Sequence, residues 1–131
     1  MKDMHALPFQ IDYHASPGAL SARITGLKGS IDITLGYWPA IGAEVVRLHP
    51  RTLLVIDEMQ GEPLAVEQMQ HLVDTMTWEG FEQMRVAYVA TPGRHMSRVE
   101  VAEILARERG FNVRVFSNET DASLWLRYGA H

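Results

Sequence analysis

Three short polar segments stand where a strand-like run gives way to something else. Asp57-Glu58 follows Thr52-Leu53-Leu54-Val55-Ile56, Thr91-Pro92-Gly93-Arg94-His95 follows Arg85 to Ala90, and Ser117-Asn118 follows Phe111 to Phe116. In open α/β sheets ligands gather beyond the carboxyl ends of the strands, so these segments are where chemistry would sit. His95 brought beside Asp57 or Glu58 would give an acid–base pair, the minimum for a hydrolase. Gly93, Arg94 and His95 ahead of a helix would hold an anion through helix-terminal amides and a guanidinium. The bland alternative is that Asp57 and Thr91 are polar ends of buried strands and that residues 91–95 form a plain turn.

Asp57 with Thr91 also matches the aspartate and hydroxyl residue that phosphorylatable receiver domains carry at strand ends. The other parts of that chemistry are missing. The first strand is followed by no acidic pair for Mg²⁺, and Arg114 stands where a lysine is expected. The histidines, at positions 5, 14, 49, 71, 95 and 131, include no pair at the helical spacing of zinc ligands. There is no cysteine, which removes disulfides, thiolate ligands and a cysteine nucleophile together. No nucleophile elbow, Walker loop or dinucleotide fingerprint occurs, and Gly26 to Ser30 is read as a turn. The sequence therefore assigns no catalytic residue, no metal and no cofactor. Asp57, Glu58, Thr91, Gly93, Arg94, His95 and Trp78 remain candidates for binding a ligand or partner.

The elements that must position these residues follow from periodicity. Phe9, Ile11 and Tyr13 alternate with polar neighbours, as do Leu20, Ala22 and Ile24, and Ser16-Pro17-Gly18 between them suits a turn. Gly26 to Ile33 reads as a loop. A helix is expected to start near Trp38-Pro39, with Trp38, Ile41, Val45 and Leu48 on one face and a stop at His49-Pro50. Thr52 to Ile56 is a continuous apolar run, as expected for a central strand. A helix over about Leu64 to Thr77 carries Val66, Met69, Val73 and Met76 inward. Arg85 to Ala90 is a strand, and Ser97 with Glu100 is a capping-box signature for a helix ending at Gly110. Phe111, Val113 and Val115 alternate in a last strand. Ser117-Asn118-Glu119 caps a final helix carrying Ala122, Trp125 and Leu126 inward. The order ββαβαβαβα implies a five-stranded mixed sheet, mostly parallel, with flanking helices, since strands joined by helices run parallel. Trp38 and Trp125 sit on inward stripes, whereas Trp78, near a helix end beside Gly80, is expected to be an exposed contact. Interleaved arginines and glutamates in the second half, including Glu103 and Arg107 at i,i+4, read as a salt-bridged solvent face.

A length of 131 residues fits one domain over 1–131, and 47% hydrophobic with 21% charged residues is ordinary for a globular chain. The net charge of −4 argues against nucleic acid or an anionic membrane surface as partner. The start, MKDMHALPFQID, has no apolar core of a secretory signal, and no aliphatic run approaches the roughly 20 residues of a membrane span. Cytoplasm is the expected location.

The segments RTLLVIDEMQGEPLAVEQMQHLV, QMRVAYVAT and AEILARERGFNVRVFSNETDASLWL, over roughly residues 51–127, resemble the SpoIIAA-like branch of the STAS (anti-sigma-factor antagonist-like) superfamily. The marker is the last piece: an ARERG turn, a strand ending VRVF, an acidic cap and a terminal A-x-x-WL helix. The resemblance implies a regulatory module that binds another protein. Sigma-factor pathway members carry a phosphorylated serine beside an aspartate after the third strand; here Glu58 to Gln70 holds no serine or threonine. The branch is also similar in fold to CRAL-TRIO lipid-transfer domains, which hold apolar ligands. The expected function is thus a non-catalytic protein-interaction module without the phosphorylatable serine. A binder of a small apolar or anionic ligand is the alternative, a hydrolase the third reading, and self-association as a homodimer through a free sheet edge stays open.

Overall fold

Alternating residues in the first strands build a hairpin. In the computed structural model, which describes residues 9–27, 31–60, 65–75, 78–82, 84–90 and 96–129, β1 (Phe9–Ser16) pairs antiparallel with β2 (Ala19–Leu27). Gly18, at φ 76°, makes the turn in the left-handed region that a glycine enters without a Cβ clash. Phe9, Ile11 and Tyr13 stand opposite Gly26, Ile24 and Ala22, so the apolar residues of both strands share one face. The other face of the hairpin carries Gln10, Asp12, His14, Ser21 and Arg23.

Helix α1 (Ile31–Leu48) then leads to β3 (Thr52–Gln60), α2 (Val66–Thr75) to β4 (Arg85–Val89), α3 (Met96–Glu108) to β5 (Asn112–Phe116), and α4 (Glu119–Tyr128) closes the order. The strands lie in the sequence β1-β2-β3-β4-β5, with every pair after the hairpin parallel. Three crossovers that all step the same way across a sheet put their helices on the same face when each is right-handed. The packing agrees. Tyr37, Ile41 and Val45 of α1 join Leu20, Ala22, Ile24, Leu53, Val55 and Val86 in one core. Ala122, Trp125 and Leu126 of α4 join Ile56, Ala87 and Val89 in a second core on the opposite face. β3 feeds both cores because successive side chains point to opposite faces.

Several expectations are corrected. Helix α1 starts at Ile31, not near Trp38, and Pro39 lies inside it, where its missing amide removes one helical bond. Residues 26 and 27 belong to β2, so Gly26 to Ile33 is not one loop. Tyr37, buried like Ile41 and Val45, takes the inner stripe at steps of four, and Leu48 is exposed. On α2 the inner residues are Met69, Leu72 and Val73, while Val66 is 45% exposed. Met76 and Leu64 lie outside the described residues, as does the Ser97 side chain on which the capping box rests.

The stop signals hold. His49, at φ 49° ahead of Pro50, ends α1 with its amide on the Val45 carbonyl at 2.8 Å. Gly110, at φ 92°, ends α3 while Phe111 N–H returns to the Ala106 carbonyl at 3.1 Å. Asn118 caps α4, its Oδ1 accepting from Asp121 N–H at 2.8 Å.

Candidate functional site

Two adjacent residues at the end of β3 have opposite fates. Asp57 continues the Leu53 and Val55 side of the strand and is 3% exposed, whereas Glu58 points to the α4 side and reaches solvent. A buried carboxylate is costly unless donors surround it. Asp57 has them: its Oδ1 accepts from Met59 N–H at 2.9 Å, and its Oδ2 accepts a short bond from the Tyr88 hydroxyl and a long one, 3.5 Å, from Tyr37. Parallel register sets Tyr88 beside Val55, so its ring lies on the same face as Asp57. Burial pushes the Tyr88 hydroxyl well above its ordinary pKa, with Tyr37 and then the Asp57 carboxylate adding to the shift. Tyr88 therefore stays a protonated donor at neutral pH, and Asp57 faces inward.

Glu58 accepts from the Arg23 guanidinium at 2.5 Å, and the same guanidinium reaches Glu119 at 3.1 Å. These three residues tie β2, β3 and the first turn of α4 together on the α4 face.

Beside the Asp57 node the three-helix face is not filled. A cavity of about 120 Å³ lies between the sheet and helices α2 and α3. Its floor is Val86 and Tyr88 of β4 with Val113 and Val115 of β5; α2 adds Met69, Leu72 and Val73, and α3 adds Val99, Ala102 and Ala106. Aromatic rings close one side. Trp38 is 5.6 Å from Trp78 edge to face and stacks over Tyr88 at 6.4 Å, while Trp78 meets Phe81 at 5.2 Å and Phe111 at 5.9 Å. The Trp78 indole N–H donates to the Val73 carbonyl at 3.0 Å. Among the described residues Glu103 is the one carboxylate in the lining, and it is engaged: Val115 N–H donates to it at 2.7 Å and Arg107 lies 3.6 Å away.

The sequence-derived candidates thus separate. Trp78 is half-buried in the cavity wall rather than an exposed contact. Thr91, Gly93, Arg94 and His95 lie outside the described residues, and with them the Asp57–Thr91 pairing and the anion loop. Asn118 serves as a cap. Sequence reasoning missed Tyr88 and Tyr37, yet a signal existed: a tyrosine inside a buried strand must bring its hydroxyl to an acceptor, and a buried aspartate must find donors. Among the described residues no three His, Asp or Glu side chains gather as a metal site, and no helix is long and apolar enough to cross a membrane.

No protein-family model matches the chain, and no curated protein is similar to it in sequence. Among solved structures it is similar to an anti-sigma factor antagonist from Mycobacterium paratuberculosis, at 13% identity and a TM-score of 0.50, over 91% of this chain and 94% of that one. The likeness is one of fold. The likeness extends over nearly the whole α/β architecture, in keeping with the fold that the resemblance of residues 51–127 implied.

Proposed function

We propose that the chain is a non-catalytic regulatory module that works by binding another protein at the carboxyl rim of its sheet. The observation that carries this reading is the likeness in fold, over nearly the whole chain, to a protein named for antagonising an anti-sigma factor. The inward-turned Asp57 supports it, because a carboxylate tied to Tyr88, Tyr37 and Met59 N–H has no free reach to a substrate. The rim offers a partner exposed groups of mixed character, Val66 and Glu67 on the first turn of α2 and Glu58 on β3. The segment from Glu58 to Gln70 holds no hydroxyl residue, so regulation of this surface proceeds without a phosphoserine there.

A photo-crosslinking residue at Glu67, compared with one at His14 on the polar face of the hairpin, tests the reading in extract of the source cells. One protein captured in stoichiometric yield from Glu67 alone is the expected result. Equal, diffuse labelling from both positions overturns it.

A further inference from the structure

We propose that the cavity between the sheet and helices α2 and α3 is a binding site for a small, uncharged, one-ring aromatic or similarly compact apolar molecule. Size comes first. An apolar cavity of roughly 150 Å³ takes up benzene, so the about 120 Å³ here suits a single ring. The space is partly open to solvent, so an apolar occupant would displace water from an apolar wall and gain dispersion contacts with it.

Charge comes second. Both carboxylates near the space are already compensated, Asp57 by Tyr88, Tyr37 and Met59 N–H, and Glu103 by Val115 N–H and Arg107. Neither calls for a cation. A ligand anion would lie beside those same carboxylates, with no cation among the described lining residues to hold it. The rings give the same answer. A cage for a quaternary ammonium presents several ring faces to one centre. Here Trp38 stacks on Tyr88, and Trp78 meets both Trp38 and Phe81 edge to face, so the rings pack on one another rather than around one centre. The rest of the described lining is mainly valine, alanine, leucine and methionine, the surroundings of a neutral hydrophobe.

The proposal rests on the cavity alone and not on the protein-partner reading, so either can fail without the other. Its test is methyl-resolved NMR of the whole chain titrated with benzene, benzoate and benzylammonium. Benzene should shift the methyls of Val86, Val113 and Val115 saturably and leave Leu126, in the α4 core, unmoved. Because burying an unpaired charge is costly, the two charged probes should bind at least about tenfold more weakly. Ala102→Leu, which fills the space from α3, should abolish the benzene shifts; Ala106→Val does so if the first variant fails to fold. Absence of saturable shifts, benzylammonium or benzoate binding as tightly as benzene, or undiminished benzene binding in a folded filled variant would each overturn the proposal.

Discussion

The two faces of this sheet are covered by different means, although the same strands supply both. On one face large rings, Tyr37 and Trp38 of α1 with Trp78 and Phe81 from the connection between α2 and β4, pack beside the sheet and leave a partly open cavity. On the other a single helix, α4, lies down on β3, β4 and β5. Small residues explain the second case. Ala87 on β4 and Ala122 on α4 are both 0% exposed, so helix and strand backbones approach with Trp125 and Leu126 filling the flanks. On the first face bulky rings from α1 and from the connection before β4 meet one another at stacked, tilted and edge-to-face angles beside the cavity. The lesson is that more covering helices do not give a denser core; the size of the contacting residues does.

The largest expected difference between the faces concerns tryptophan. Trp125 is 5% exposed and is the chief anchor of α4, while its indole N–H finds no acceptor among the described residues. Trp125→Ala should cost about 3–5 kcal/mol, the range for truncating a buried aromatic. Trp78→Ala removes a half-buried ring from the rim of an existing space and should cost roughly 1–3 kcal/mol. Urea denaturation of the two variants gives the comparison directly. Equal losses would mean that the three-helix face is packed as tightly as the other.

A smaller effect, of opposite sign on the two faces, comes from enlarging alanines. Ala122→Leu must push α4 off the sheet and should cost about 1–3 kcal/mol, as overpacking does. Ala102→Leu extends into the cavity and should change stability by no more than about 0.5 kcal/mol, or raise it. Thermal melts of both variants decide the matter, and a large loss at Ala102 would show that the space collapses around its lining in solution.

Much of this arrangement was readable from residue order. Alternation placed β1, β2 and β5, continuous buried runs placed β3 and β4, and His49-Pro50, Gly110 and Asn118 marked helix ends through local chemistry that tertiary packing had no reason to override. Pro39 misled, because a proline is read as a helix start whereas the stripe of Tyr37, Ile41 and Val45 extends the helix backward through it. Val66 misled too. Its place at i−3 from Met69 fits a stripe, but at the first turn of α2 that face is exposed. For the site, Asp57 was legible as a strand end. Its donors were not, since Tyr88 reaches it only through the β3–β4 register and Tyr37 only through the docking of α1. Trp78 shows the same limit: nearness to Gly80 suggests a surface position, and only the placement of Trp38 and Phe111 encloses it.

The smallest expected effect separates apolar anchoring of α4 from anchoring by charge. Arg23 joins Glu58 at 2.5 Å and Glu119 at 3.1 Å, and the Glu119 hydrogen bond foremost keeps its guanidinium proton-bound even more firmly than usual. Glu119 also sits in the first turn of α4, where a negative charge complements the helix dipole. All three side chains are 36% exposed or more, so water and salt screen the pairs. Arg23→Ala should therefore cost less than about 1 kcal/mol, and the loss should fade in high salt. The check is the denaturation midpoint at low and high ionic strength. A salt-insensitive loss as large as that of Trp125→Ala would reverse the comparison, since α4 would then be held by its charged first turn and its apolar face would merely follow.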